Sequence, residues 1–126
     1  MTDYSNYNIL IVDDVPLNLM IVSRMLGKYN FRMRTADGGK KALEEVAAER
    51  PDLILLDIMM PDVDGFEVLR RLRTNPENRT IPVIVLSALN TNDDIVRAYS
   101  LGAKDFITKP ILMEKLINSV SVNLKL

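Results

Sequence analysis

The stretch LILLDIMMPDVDGFEVLRRL, Leu53 to Leu72, decides the fold. Its first four residues are apolar without interruption, as a strand must be when both faces of its sheet are covered. Asp57 ends the run, Asp64-Gly65 supplies turn chemistry, and Phe66, Leu69 and Leu72 then recur at helical spacing. Strand, loop and helix in this order make one unit of a parallel α/β sheet. Working outward, the unit recurs. Further strands are expected at Ile9 to Val12, roughly Phe31 to Thr35, Pro82 to Leu86 and Phe106 to Thr108. Helical stripes follow them: Leu19, Val22, Met25, Leu26 and Tyr29; then Leu43, Val46 and Ala47; last and clearest, Met113, Leu116, Ile117, Val120 and Leu124. The segment near Asn92 to Leu101 offers only Ile95, Ala98 and Tyr99 and should be the least firmly held helix. Five strands and five helices in three α/β/α layers are expected.

The 126 residues, 48% of them apolar, suit one domain over residues 1–126. No apolar run approaches the ~20 residues that cross a membrane, and the polar start is unlike a secretory signal, so a cytoplasmic protein without membrane contact is expected. The chain stops once the fifth helical stripe is complete, and no output domain is expected. Sixteen basic residues against 17 acidic ones give a net charge of -1, without the footprint of a nucleic-acid binder. There is no Cys and no His, which removes thiolate nucleophiles, sulfur ligands and the usual general base. Chemistry is left to carboxylates, hydroxyls and lysines.

In a parallel α/β sheet, ligands bind where strands end. The first strand leaves through Asp13-Asp14, the third through Asp57, the fourth through Ser87 and the fifth through Lys109, which places the groups needed for phosphoryl transfer on one edge. Two carboxylates ~5 Å apart repel by roughly 3 kcal/mol at an effective dielectric near 20. One lysine against three acids leaves two negative charges, matching a divalent cation with oxygen ligands, for which Mg²⁺ is the natural candidate. Each exit also has a plainer reading. Asp14 could cap a helix opened by Pro16, Asp57 could start a loop, Ser87 could cap one, and Lys109-Pro110 could be surface lysine chemistry. Met59, Met60 and Phe106 could be packing, and Arg70, Arg71 and Arg73 a solvated helix face. Independent caps, however, do not explain Asp-Asp, Asp, Ser and Lys at four exits of one edge. No glycine-rich nucleotide loop is present, and an aspartate can itself hold phosphate as an acyl phosphate, which singles out Asp57.

The runs ILIVDD, LLDIMMPDVDG, VIVLSA and DFITKP resemble the receiver domains of bacterial response regulators in two-component signalling, the chemotaxis receivers among them, in order and in spacing. Asp57 follows Asp14 by 43 positions, Ser87 follows Asp57 by 30, and Lys109 follows Ser87 by 22. The resemblance runs from Ile9 to about Leu124. It implies a flavodoxin-like, doubly wound sheet of order 2-1-3-4-5. It also implies a phosphoryl group on Asp57, Mg²⁺ bound by Asp14, Asp57 and the Met59 carbonyl with Asp13 acting through water, Ser87 and Lys109 on phosphoryl oxygens, and a cis Lys109-Pro110 peptide. Phe106 falls at the switch position that works with Ser87. The implied donor is a histidine kinase or histidine phosphotransfer protein, and the implied recipient is a downstream effector or a fused output domain. Such a protein is a switch that catalyses only its own phosphorylation and dephosphorylation. In the family, the side chains two positions after the phosphoacceptor and two after the hydroxyl residue flank the attacking water. Here they are Met59 and Leu89, both apolar, so a long-lived phosphoryl group is expected.

Three other readings stand beside this one. The chain could be the receiver segment of a larger regulator or hybrid kinase. It could be a metal-dependent phosphatase, although Val15 stands where such enzymes place a second acid after the nucleophile. It could also be an unphosphorylated interaction module, although no site residue is missing.

Overall fold

The computed structural model describes residues 3–126. Five strands alternate with five helices: β1 Asn8–Val12, α1 Pro16–Gly27, β2 Arg32–Ala36, α2 Gly39–Ala48, β3 Leu53–Asp57, α3 Gly65–Thr74, β4 Val83–Ser87, α4 Asn92–Ser100, β5 Asp105–Thr108 and α5 Met113–Leu124. All strand pairs are parallel and the order is β2-β1-β3-β4-β5, the flavodoxin-like arrangement. Every residue of β1, β3 and β4 is buried. Their side chains alternate between two cores: Leu10, Ile54 and Val85 face α2, α3 and α4, whereas Ile11, Leu55 and Ile84 face α1 and α5. Two-sided burial accounts for the unbroken apolar runs.

The helices differ in how they are held. α3 is capped by Asp64, whose Oδ1 accepts the Glu67 N–H at 2.9 Å, and it buries Phe66, Val68, Leu69 and Leu72. α4 starts at Thr91, whose hydroxyl accepts from the Asp94 N–H, but it buries only Ala98, so the expected weak attachment is present. Its Arg97 lies 4.0 Å above the Phe66 ring and bridges it to α3. In α5, Leu116 and Val120 are buried while Met113 is exposed at the first turn. Met113 therefore drops out of the expected stripe, and Tyr29 likewise lies beyond the end of α1, stabilising the following loop beside Phe31.

One charged residue is placed against expectation. Arg70 and Arg71 are solvated and pair with Glu67, but Arg73 turns inward. Its Nη1 donates to the carbonyls of Arg79 at 3.1 Å and Ile81 at 2.9 Å, and its Nη2 to that of Gly102 at 2.8 Å. It has no acidic partner among the described ion pairs, and burial lowers the pKa of its guanidinium. Gly102 sits at φ +97°, and a Cβ there would collide with the Arg73 side chain. The planar five-donor fork of arginine suits this stapling of the α4–β5 turn to the α3–β4 loop.

Candidate phosphoryl-transfer site

The strand order sets β1 between β2 and β3, and this brings the exits of β1 and β3 side by side. Asp13, Asp14 and Asp57 each offer a carboxylate oxygen, all within 4.8 Å of one another. Asp13 and Asp57 are buried, at 5% and 4% exposure, and Asp14 is half-buried. From β5, Lys109 reaches across the sheet edge: its Nζ lies 2.8 Å from Asp13 Oδ2 and 3.6 Å from Asp57 Oδ2. The Lys109-Pro110 peptide is cis, as the resemblance implied.

A single local device aims three of these side chains. Asp13 Oδ1 accepts the N–H of Val15 at 2.9 Å, Asp57 Oδ1 that of Met59 at 3.2 Å, and Ser87 Oγ that of Leu89 at 3.0 Å. At each strand end the side chain bonds the amide two residues on, the turn that Asp and Ser favour. The plain reading of Asp57 and Ser87 as loop-starting residues is thus correct locally and compatible with chemistry. The plain reading of Asp14 is not: the residue before α1 is Val15, without a side-chain cap, and Pro16 opens the helix. β3 exits closely against α3, because Gly65 packs on the Asp57–Ile58 backbone, where a Cβ would overlap both residues.

The electrostatics follow from this crowding. Burial, above all, raises the Asp57 carboxyl pKa; Lys109 opposes the rise, Asp13 and Asp14 add to it, and the Met59 N–H opposes it. Three hard oxygen ligands around one ammonium leave excess negative charge, so the donor set fits a divalent cation such as Mg²⁺.

Ser87, fully buried, stands at the end of β4, and its carbonyl accepts the Lys109 N–H at 2.8 Å. Phe106, half-buried, pairs in register with Val85 and packs on the α2–α3–α4 side. Met59 is 52% exposed, whereas Leu89 packs partly into that same core. Sequence reading overlooked a cavity of about 220 Å³ between α1 and the β5–α5 loop, walled by Ile21, Val22 and Ile111 and reaching Asp13 and Lys109. No pattern in the chain signals it, because its walls come from four separate segments.

The model of the response regulator receiver domain matches residues 9–121. The chain belongs to that family. It is a receiver of two-component signalling, and accepting a phosphoryl group is the family's function, that of a signalling switch. The receiver is 40% identical over 125 residues to a probable cyclic di-GMP phosphodiesterase of Vibrio cholerae, covering 99% of this chain and 28% of that protein. It is 34% identical to the protein PilH of Pseudomonas aeruginosa over 90% of this chain and 93% of PilH. Among solved structures, the receiver domain of a histidine kinase from Syntrophus aciditrophicus superposes with a TM-score of 0.88 at 37% identity, over 94% of this chain and 90% of that one. The receiver thus spans only about a quarter of the first of these relatives and nearly all of the second.

Proposed function

We propose that this receiver accepts a phosphoryl group on Asp57, with Lys109 and Ser87 holding phosphoryl oxygens. The observation that carries the reading is the buried Asp57 carboxylate, set against Asp13 and Asp14 within 4.8 Å and against the Lys109 ammonium at 3.6 Å. Asp14, Asp57 and the Met59 carbonyl would hold Mg²⁺, with Asp13 acting through water. When bound, the ion supplies positive charge opposite the phosphoryl oxygens. Asp57 Oδ1 is anchored by the Met59 N–H, which fixes the carboxylate plane. A carboxylate oxygen attacks phosphorus in line as the donor's P–N bond breaks. Lys109 then exchanges part of its pairing with Asp13 for a phosphoryl oxygen. The Ser87 hydroxyl already uses a lone pair on Leu89 N–H, and its proton remains free to donate to another oxygen. The chain thereby catalyses its own phosphorylation and no turnover of a separate substrate.

The donor on this reading is a protein phosphohistidine, from a histidine kinase or phosphotransfer protein in the cytoplasm. The rim of the site supports a protein donor. Ile21 lines the cavity that reaches Lys109, and Val15, Leu17, Met20 and Leu112, which flank its lining segments in the chain, are exposed apolar residues as well; exposed apolar surface beside a site marks a protein contact. The recipient of the signal is an effector or output domain that reads the face around α4. Phosphoramidate, whose P–N bond imitates phosphohistidine, tests the chemistry. With Mg²⁺ it should yield a protein-bound phosphate cleaved by hydroxylamine, as an acyl phosphate is, and with a chelator it should yield none. A hydroxylamine-resistant product would overturn the reading.

A further inference from the structure

We propose that the Met59 thioether is a site of reversible oxidation, and that its sulfoxide shortens the life of the phosphorylated receiver; the second half rests on the assignment of Asp57 above. The chain has neither Cys nor Trp nor His, so thioethers are its most readily oxidised side chains. Susceptibility then follows exposure. Met60 is closed into the core at 7%, whereas Met59 is 52% exposed, above Met20 at 46% and Met113 at 38%. Met59 lies on an open groove shared with Leu89, Phe66 and Arg97. Its own N–H donates to Asp57 Oδ1 at 3.2 Å. Among the described residues, the most exposed methionine is thus the one tied to the phosphoacceptor carboxylate.

The oxidant is a hydroperoxide. A sulfur lone pair attacks the outer peroxide oxygen, the O–O bond breaks, and the departing oxygen takes a proton and leaves as water or an alcohol. Sulfur loses two electrons and keeps one oxygen. A dithiol reductant reverses the change, releasing water as it becomes a disulfide. The consequence is local. A thioether is a weak acceptor, and Met59 and Leu89 offer water no strong partner beside Asp57. A sulfoxide oxygen is a strong acceptor on a flexible arm, able to hold a water beside the acyl phosphate. One such hydrogen bond should speed hydrolysis about fivefold, equivalent to about 1 kcal/mol in the barrier.

The test treats the protein briefly with hydrogen peroxide, quenches with free methionine, and maps sulfoxides by peptide mass. Treated and untreated samples are then phosphorylated with acetyl phosphate and Mg²⁺, freed of donor, and followed by intact mass. Expected are oxidation of Met59 at least as fast as that of Met20 and Met113, and a severalfold faster loss of phosphate after treatment. Met59→Leu should show equal rates with and without peroxide, whatever its own rate, while the Met20→Leu, Met113→Leu double variant should keep the acceleration. A Met59 that stays reduced while the others oxidise overturns the proposal, as does a fully oxidised Met59 with an unchanged rate. An untreated protein that accepts no phosphoryl group overturns the Asp57 assignment and the proposal together.

Discussion

Replacing Asp57 by Asn should make the metal-free protein more stable, although it removes the proposed phosphoacceptor. With the three carboxylates within 4.8 Å, each of Asp13 and Asp14 repels Asp57 by about 3.5 kcal/mol at an effective dielectric of 20. Lys109 at 3.6 Å returns about 4.6 kcal/mol on the same scale. A net repulsion of about 2 kcal/mol remains before the cost of burying Asp57, and Asn, similar in shape and uncharged, escapes both. The sign of the pH dependence follows from the raised carboxyl. A group whose folded pKa lies above its unfolded value destabilises the fold while it is ionised, above the folded pKa. That penalty fades as pH falls through the folded pKa toward the ordinary value of 3.8. The advantage of Asn should therefore be full at pH 7 and shrink on acidification. Urea unfolding in EDTA, followed by circular dichroism, measures it, and a gain of about 2 kcal/mol corresponds to roughly 6 °C in Tm. Added Mg²⁺ should narrow the gap by stabilising the parent more. An Asn variant no more stable than the parent at pH 7 in EDTA would refute the claim that burial and the neighbouring carboxylates make the ionised Asp57 destabilising.

Other consequences can be checked separately. Met59→Asn with Leu89→Glu should speed loss of phosphate by ~10-fold, about 1.4 kcal/mol in the barrier; because Leu89 is partly packed, most of the effect should follow the exposed Met59, and an unchanged release rate would end the shielding idea. Gly65→Ala should cost about 1–3 kcal/mol by overpacking and slow labelling of Asp57, since the new Cβ meets the Asp57–Ile58 backbone; an unaltered urea midpoint would contradict that close approach. Phosphorylation should change amide exchange most between Ala88 and Phe106, with the largest effect toward the Thr91 end of α4 and the smallest at Gly102, which Arg73 holds. Exchange differences confined to the surroundings of Asp57 would count against a readout through α4.

The parts of this molecule that could be read from its sequence are those written in contiguous residues. β3 and α3 follow from Leu53 to Leu72 because burial on both faces of the sheet and on one face of the helix leaves distinct periods. The placement of Asp13, Asp14, Asp57, Ser87 and Lys109 on one edge was legible too, although they are far apart in the chain, because a parallel sheet gathers its strand exits there. Arg73 was not, since its partners are backbone carbonyls of Arg79, Ile81 and Gly102 and no residue identity advertises them. Met113 kept the helical period yet fell in the first turn of α5, where the chain has not yet reached the core. That Met59 and Leu89 differ in placement was not legible either, because one apolar side chain found a core within reach and the other did not.

The central claim is that Asp57 carries the phosphoryl group, and intact mass spectrometry after incubation with acetyl phosphate and Mg²⁺ tests it most directly. The parent protein should gain a single phosphoryl group and Asp57→Asn should gain none. Equal labelling of the two proteins would contradict the assignment.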